Sequence, residues 1–155
     1  MSNYDQFRAC TPAQRRRAIE WLCWQALTVW EAFLSEQEPL RYHDSVVGMQ
    51  HRVDAVLPRE ALRYLQQGGA DHIRADLNYR YLEPITALQD GDLELPMPIE
   101  YSYYAIYNLF QKYAEQRSID DWLIANQALA SMGDPDQVPS HLAAALAYAL
   151  RDDQA

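Results

Sequence analysis

Apolar positions recur along most of the chain at spacings of three and four, the period of an α-helix with one buried face. The clearest run is Pro98 to Gln116. Ile99, Tyr103, Ile106, Tyr107, Phe110, Tyr113 and Ala114 form one stripe there. Tyr101, Tyr104, Asn108, Gln111 and Glu115 fall on the other side, so the helix carries a core face and a second, aromatic and polar face. Thr11-Pro12-Ala13-Gln14 is a helix start, because threonine caps, proline suits the first turn and glutamine returns a bond to the cap. The helix it opens runs to about Ser35 with Ile19, Leu22, Cys23, Ala26, Leu27, Trp30, Phe33 and Leu34 inward.

The same spacing predicts a helix over 42–56, with Val46, Met49, Val53 and Val56 inward. A short helix follows from Pro58 through Leu62 and Leu65, stopped by Gly68-Gly69. Another runs from Asp71 to Leu82, with Ile73, Leu77 and Tyr81 inward, and Pro84 kinks or restarts it. Asp90-Gly91-Asp92 reads as a turn, and the prolines of the connector from Leu93 to Pro98 forbid a helix before Pro98. Ser118 and Asp121 open a helix using Ile119, Trp122, Leu123 and Leu129. Ser140 opens the last, with Leu142, Ala145, Leu146, Ala149 and Leu150 inward. Residues 1–10 read as a short lead-in, a break falls at Glu38-Pro39, and 152–155 should fray. No stretch alternates long enough for a strand. The pattern predicts an all-α fold: a single compact domain, residues 11–151, of six or seven mostly antiparallel helices.

Composition narrows the function classes. Of 155 residues, 49% are hydrophobic, enough for one packed core. The net charge of -9 opposes binding to nucleic acid, whose phosphates need a basic face, and to an anionic membrane. It favours a basic protein partner. Cys10 and Cys23 build no disulfide framework, and Cys23 sits on an apolar stripe as a buried thiol. With no apolar signal core and no spanning run, a cytoplasmic location is expected. Arg15, Arg16 and Arg17 read as a solvated first turn, poorly placed against the helix dipole and able to pair with the chain's acids.

Candidate chemistry is sparse. His43-Asp44 is similar to the histidine-aspartate pair of helical metal phosphohydrolases, but that family needs an upstream histidine, and His43 is the first in this chain. His51 with Asp54, three apart, and His72 with Asp76, four apart, could each aim two ligands from one helix, yet a histidine beside an acid is more often a surface pair. No metal and no cofactor are therefore expected. No nucleophile elbow or phosphate-cradling glycine loop is present. Trp21, nearly opposite the core stripe of its helix, and Trp24, at the stripe's border and most simply a core edge, mark a secondary candidate surface.

Between Tyr81 and Gln111 stand five acids, Glu83, Asp90, Asp92, Glu94 and Glu100, and no lysine or arginine. They lie on a connector stiffened by Pro84, Pro96 and Pro98 and adjoin Tyr101 and Tyr104. Carboxylates beside tyrosines suit an interface. The expected binding surface is Asp90, Asp92, Glu94, Glu100, Tyr101, Tyr104 and Asn108. In its size, acidity, helical pattern and this acidic-aromatic stretch, the chain resembles bacterial toxin-immunity proteins. The resemblance implies a stoichiometric inhibitor, not an enzyme, whose carboxylates mimic phosphate and block a basic, often nuclease-type toxin domain. Two alternatives stand beside it. One is a metal-dependent or cofactor-binding helical enzyme, in which His43, His51 and His72 converge. The other is a homodimeric scaffold or adaptor using Trp21 and Tyr101.

Overall fold

The computed structural model describes residues 2–37 and 39–152. It is a predominantly all-α compact fold of seven helices with one small sheet. The helices are α1 (Asn3–Ala9), α2 (Pro12–Glu36), α3 (Leu57–Gln67), α4 (Asp71–Asp90), α5 (Met97–Tyr113), α6 (Asp121–Ser131) and α7 (Val138–Asp152). Strands β1 (Arg41–His43) and β2 (Gln50–Arg52) form an antiparallel hairpin between α2 and α3. The break expected at Glu38 and the fraying expected for 153–155 lie outside the described residues. Asp152, expected to fray, ends α7 as a helical residue.

Helix α2 begins as its sequence dictates. The Thr11 hydroxyl accepts from the Gln14 amide, and the Gln14 side chain accepts from the Thr11 amide. Its expected stripe is buried from Ile19 to Leu34, with Phe33 at the margin. That stripe packs on α5, α6 and α7.

Helix α5 is more deeply enclosed than two faces imply. Ser102, Ala105 and Leu109 are buried together with Tyr103, Ile106 and Phe110, because α2, α3 and α6 surround the helix. A helix apolar nearly all round belongs in a core. Helix α4 reaches α5 through rings: Tyr81 meets Tyr103, Tyr107 and Phe110 at centroid distances of 5.7, 5.1 and 6.0 Å. Gln111 is buried and donates to Asn78 of α4 at 2.8 Å, so part of the polar face is internal.

Several expectations are corrected. The lead-in is a helix capped by Ser2, and its Phe7 is 1% exposed. The arginine run is not simply solvated. Arg15 pairs with Asp121 and donates to the Cys10 carbonyl, Arg16 pairs with Glu20 and covers Tyr113, and Arg17 donates to the Ala149 carbonyl. Ile73, Leu123 and Leu150 are exposed rather than inward. Helix α4 runs through Pro84 to Asp90. The last helix starts at Val138 behind a 3-10 turn, Pro135–Gln137, rather than at Ser140.

The largest correction is 42–56, which is a hairpin. Asp44 turns its Oδ1 onto the amides of Val46 and Val47 at 2.8 and 3.1 Å, a local bond that competes with a helix. Gly48 then takes a φ of 72°, which a glycine adopts without strain. Of the apparent helical stripe, Val46 and Met49 are at the exposed tip, 84% and 58% exposed, Val56 is exposed beyond β2, and only Val53 is inward as expected. Tyr42 and Val53 are buried, and this inward pair holds the hairpin on the body.

Candidate functional site

A cleft of about 620 Å³ lies between the hairpin and α4. On the α4 side, Tyr79, Leu82, Glu83, Thr86 and Asp90 recur at spacings of three, one, three and four, which places them along one helix face. The hairpin supplies Tyr42, Asp44, Val46, Val47 and His51, the chain beyond it Val53 and Asp54, and the connector after α4 Asp92.

Four contacts set the geometry. The Tyr42 hydroxyl donates to Glu83 Oε1 at 3.0 Å. The Nδ1 of His51 stands 2.6 Å from the same oxygen. On the ring's other side, Nε2 is 3.6 Å from Asp44 Oδ2. Asp92 Oδ2 accepts from both the amide and the hydroxyl of Ser45, at 3.1 and 3.0 Å, and ties the hairpin loop to the connector. The amides of Val47 and Val46 hold the Asp44 carboxyl below its ordinary range.

Five carboxylates line the cleft: Asp44, Asp54, Glu83, Asp90 and Asp92. The cations there are Arg52 and Arg80. Arg80 is engaged by Asp54 at 2.8 Å and by Glu60 at 2.5 Å, with Asp76 at 3.5 Å. The hydrogen bonds of Glu60 and Asp54 lift its already high pKa further, against the opposing effect of burial. Among the acids stand exposed apolar groups, with Tyr79 73% and Leu82 58% exposed. The arrangement can receive a cationic group and an apolar anchor together.

Only part of the expected surface meets here. Asp90 and Asp92 line the cleft, and so do His51 and Asp54, although those two share no helix. Glu94 is exposed, Glu100 half-buried and Tyr101 at the edge of exposure, but none of them lines it. Tyr104 is half-buried and packs edge-on against Tyr107. Asn108 is committed to α6, donating to Gln127 at 2.9 Å. His72 and Asp76 border a separate hollow of about 520 Å³ between α3 and α4. Trp21 and Trp24 do share a groove, of about 390 Å³, with Leu62, Leu65, Leu109 and Tyr148.

Sequence reasoning missed Val46, Val47, Tyr79 and Leu82 as surface groups and gave Asp44 no place in a site. The Asp44-to-Gly48 spacing was the available signal, since both residue types favour turns. Comparison of the chain with protein-family models, with curated proteins and with solved structures finds no match.

Proposed function

We propose that this protein is an acidic binding module that acts by stoichiometric capture of a basic protein, in the manner of an immunity protein that neutralises a toxin domain. The supporting observation is the hairpin–α4 cleft, where five carboxylates surround exposed Val46, Val47, Tyr79 and Leu82. Opposite charge steers such an encounter, and apolar groups that leave water on contact hold it. The net charge of -9 acts in the same direction over longer range. Relative to the surface expected from sequence, the reading keeps Asp90 and Asp92 and moves the anchors from Tyr101 and Tyr104 to the hairpin tip and α4.

The test is co-expression with the product of the adjacent reading frame in the native genome. A toxic, basic product should be neutralised and should elute with this protein as a one-to-one complex. Charge reversal at Asp90 and Asp92 should abolish protection while the helical circular dichroism spectrum stays unchanged. Protection that survives both reversals and Leu82→Ala would place the function on another face.

A further inference from the structure

The hairpin–α4 cleft holds one arrangement that attraction of a basic protein does not by itself explain, although it shares Asp44 and Glu83 with that reading. His51 Nδ1 lies 2.6 Å from Glu83 Oε1, the separation of a close charge-assisted contact. A neutral ring with the proton on Nδ1 presents a lone pair at Nε2. That atom is buried and has no hydrogen-bond partner among the described residues. It faces Asp44 Oδ2 at 3.6 Å, which is too long for a hydrogen bond. With the proton on Nδ1 both atoms are acceptors, and a cation between them satisfies both.

The spacing suits a metal ion. Ligand bonds of about 2.0–2.2 Å set two donors about 3.3–3.6 Å apart at the tetrahedral angle. Both donor atoms are also fixed from behind. Asp44 spends its other oxygen on the Val46 and Val47 amides, which aims Oδ2 at the ring. Glu83 holds the far side of the imidazole and is itself held by the Tyr42 hydroxyl. A carboxylate that orients a histidine from the nitrogen opposite the metal is a recurrent support in metal sites. The three side chains come from β2, the turn after β1 and α4, and their ligand atoms lie within 4.8 Å of one another.

We propose that Asp44, His51 and Glu83 form a divalent-metal site, in which His51 Nε2 and Asp44 Oδ2 ligate a zinc-class ion and Glu83 orients the imidazole. One nitrogen and one carboxylate oxygen suit zinc and neighbouring first-row ions better than magnesium or calcium. Water would complete the coordination of the ion. The ion joins β2 to the turn after β1, so its binding stiffens the segment between them that carries Val46 and Val47. This differs from both metal pairs considered from the sequence: His51 is used, but with Asp44 and Glu83 in place of Asp54.

Zinc itself is the probe. Untagged full-length protein, stripped with chelator, should take up one zinc per chain by calorimetry and native mass spectrometry. His51→Ala should lose that uptake. Asp44→Asn is the cleaner variant, because the asparagine oxygen can still accept from Val46 and Val47 while the charged ligand is gone; it too should lose uptake with the fold intact by circular dichroism. Glu83→Gln should weaken binding about 10–100-fold. Zinc should also slow trypsin cleavage at Arg41 and Arg52, which flank the hairpin, in the wild type and in neither ligand variant. Absence of uptake by the wild type at millimolar zinc overturns the site. Uptake unchanged in Asp44→Asn and His51→Ala overturns it as well, by placing the ion elsewhere.

Discussion

Asp121 shows how much a single residue can carry in this chain. It receives Lys112 Nζ at 2.5 Å and the Tyr113 hydroxyl at 3.2 Å on one oxygen, and Arg15 Nε at 3.1 Å on the other. Burial pushes its carboxyl up, but the bonds from Lys112 and Arg15 and the charge of Lys112 outweigh burial and hold it below the ordinary range. A carboxyl with a depressed folded pKa adds stability that is full above its unfolded value, about 3.9, and is lost as pH falls through the folded value. Asp121→Asn should therefore be less stable than wild type at pH 6, and the gap should narrow below about pH 4. Urea midpoints measured from pH 6 down to pH 2 give that difference, and a gap independent of pH would show that the charge contributes nothing. Little of this cluster was legible. Lys112 is the one lysine beside twelve arginines, and its spacing does not mark it as a partner of Asp121. In the fold it spans α5 and the approach to α6, donating to the Ile119 carbonyl as well. Sequence spacing reports which face a residue occupies, but not which distant element supplies its partner.

Among the elements, long periodic segments were legible and short ones were not. Helix α2 has a cap, a proline at its start and a buried stripe from Ile19 to Leu34, and each points the same way. The hairpin has three residues per strand, and its apolar tip copied a helical spacing by chance. Helix α1 has seven residues and one buried side chain, too few for any period to register. Its importance comes from a tertiary contact: Phe7 packs 5.5 Å from Trp122 of α6, Tyr4 meets the same indole at 4.6 Å, and Asn3 donates to the Pro139 carbonyl. Phe7→Ala should cost about 3–5 kcal/mol, the range for truncating a fully enclosed phenylalanine. Thermal or urea unfolding checks this. A midpoint equal to wild type would return residues 1–10 to the role of a loose lead-in.

At the scale of the molecule, fold and surface separate cleanly. The all-α architecture was legible because the helices longer than α1 share one core and contribute their own periodic stripes. The candidate surface was legible only as a tendency, since the acids of residues 83–100 diverge in space: Asp90 and Asp92 enter the cleft and Glu94 and Glu100 do not. The separation makes a kinetic prediction for the proposed basic partner. Charge at a rim acts during diffusional approach, whereas an apolar anchor acts after contact has excluded water. Asp90→Lys should slow association and flatten its dependence on salt, with dissociation nearly unchanged. Asp90 suits this test because it is exposed, whereas Asp92 also fastens Ser45 and its loss would loosen the hairpin. Tyr79→Ala should do the reverse, raising the dissociation rate by an amount worth on the order of 2 kcal/mol, or about thirtyfold, and leaving association and its salt slope alone. Neither change should lower the unfolding midpoint appreciably, because both side chains stand outside the core. Surface plasmon resonance at two ionic strengths separates the two effects. Identical rates for wild type and both variants would show that the partner docks away from the cleft, and the groove of Trp21 and Trp24 is the next surface to change.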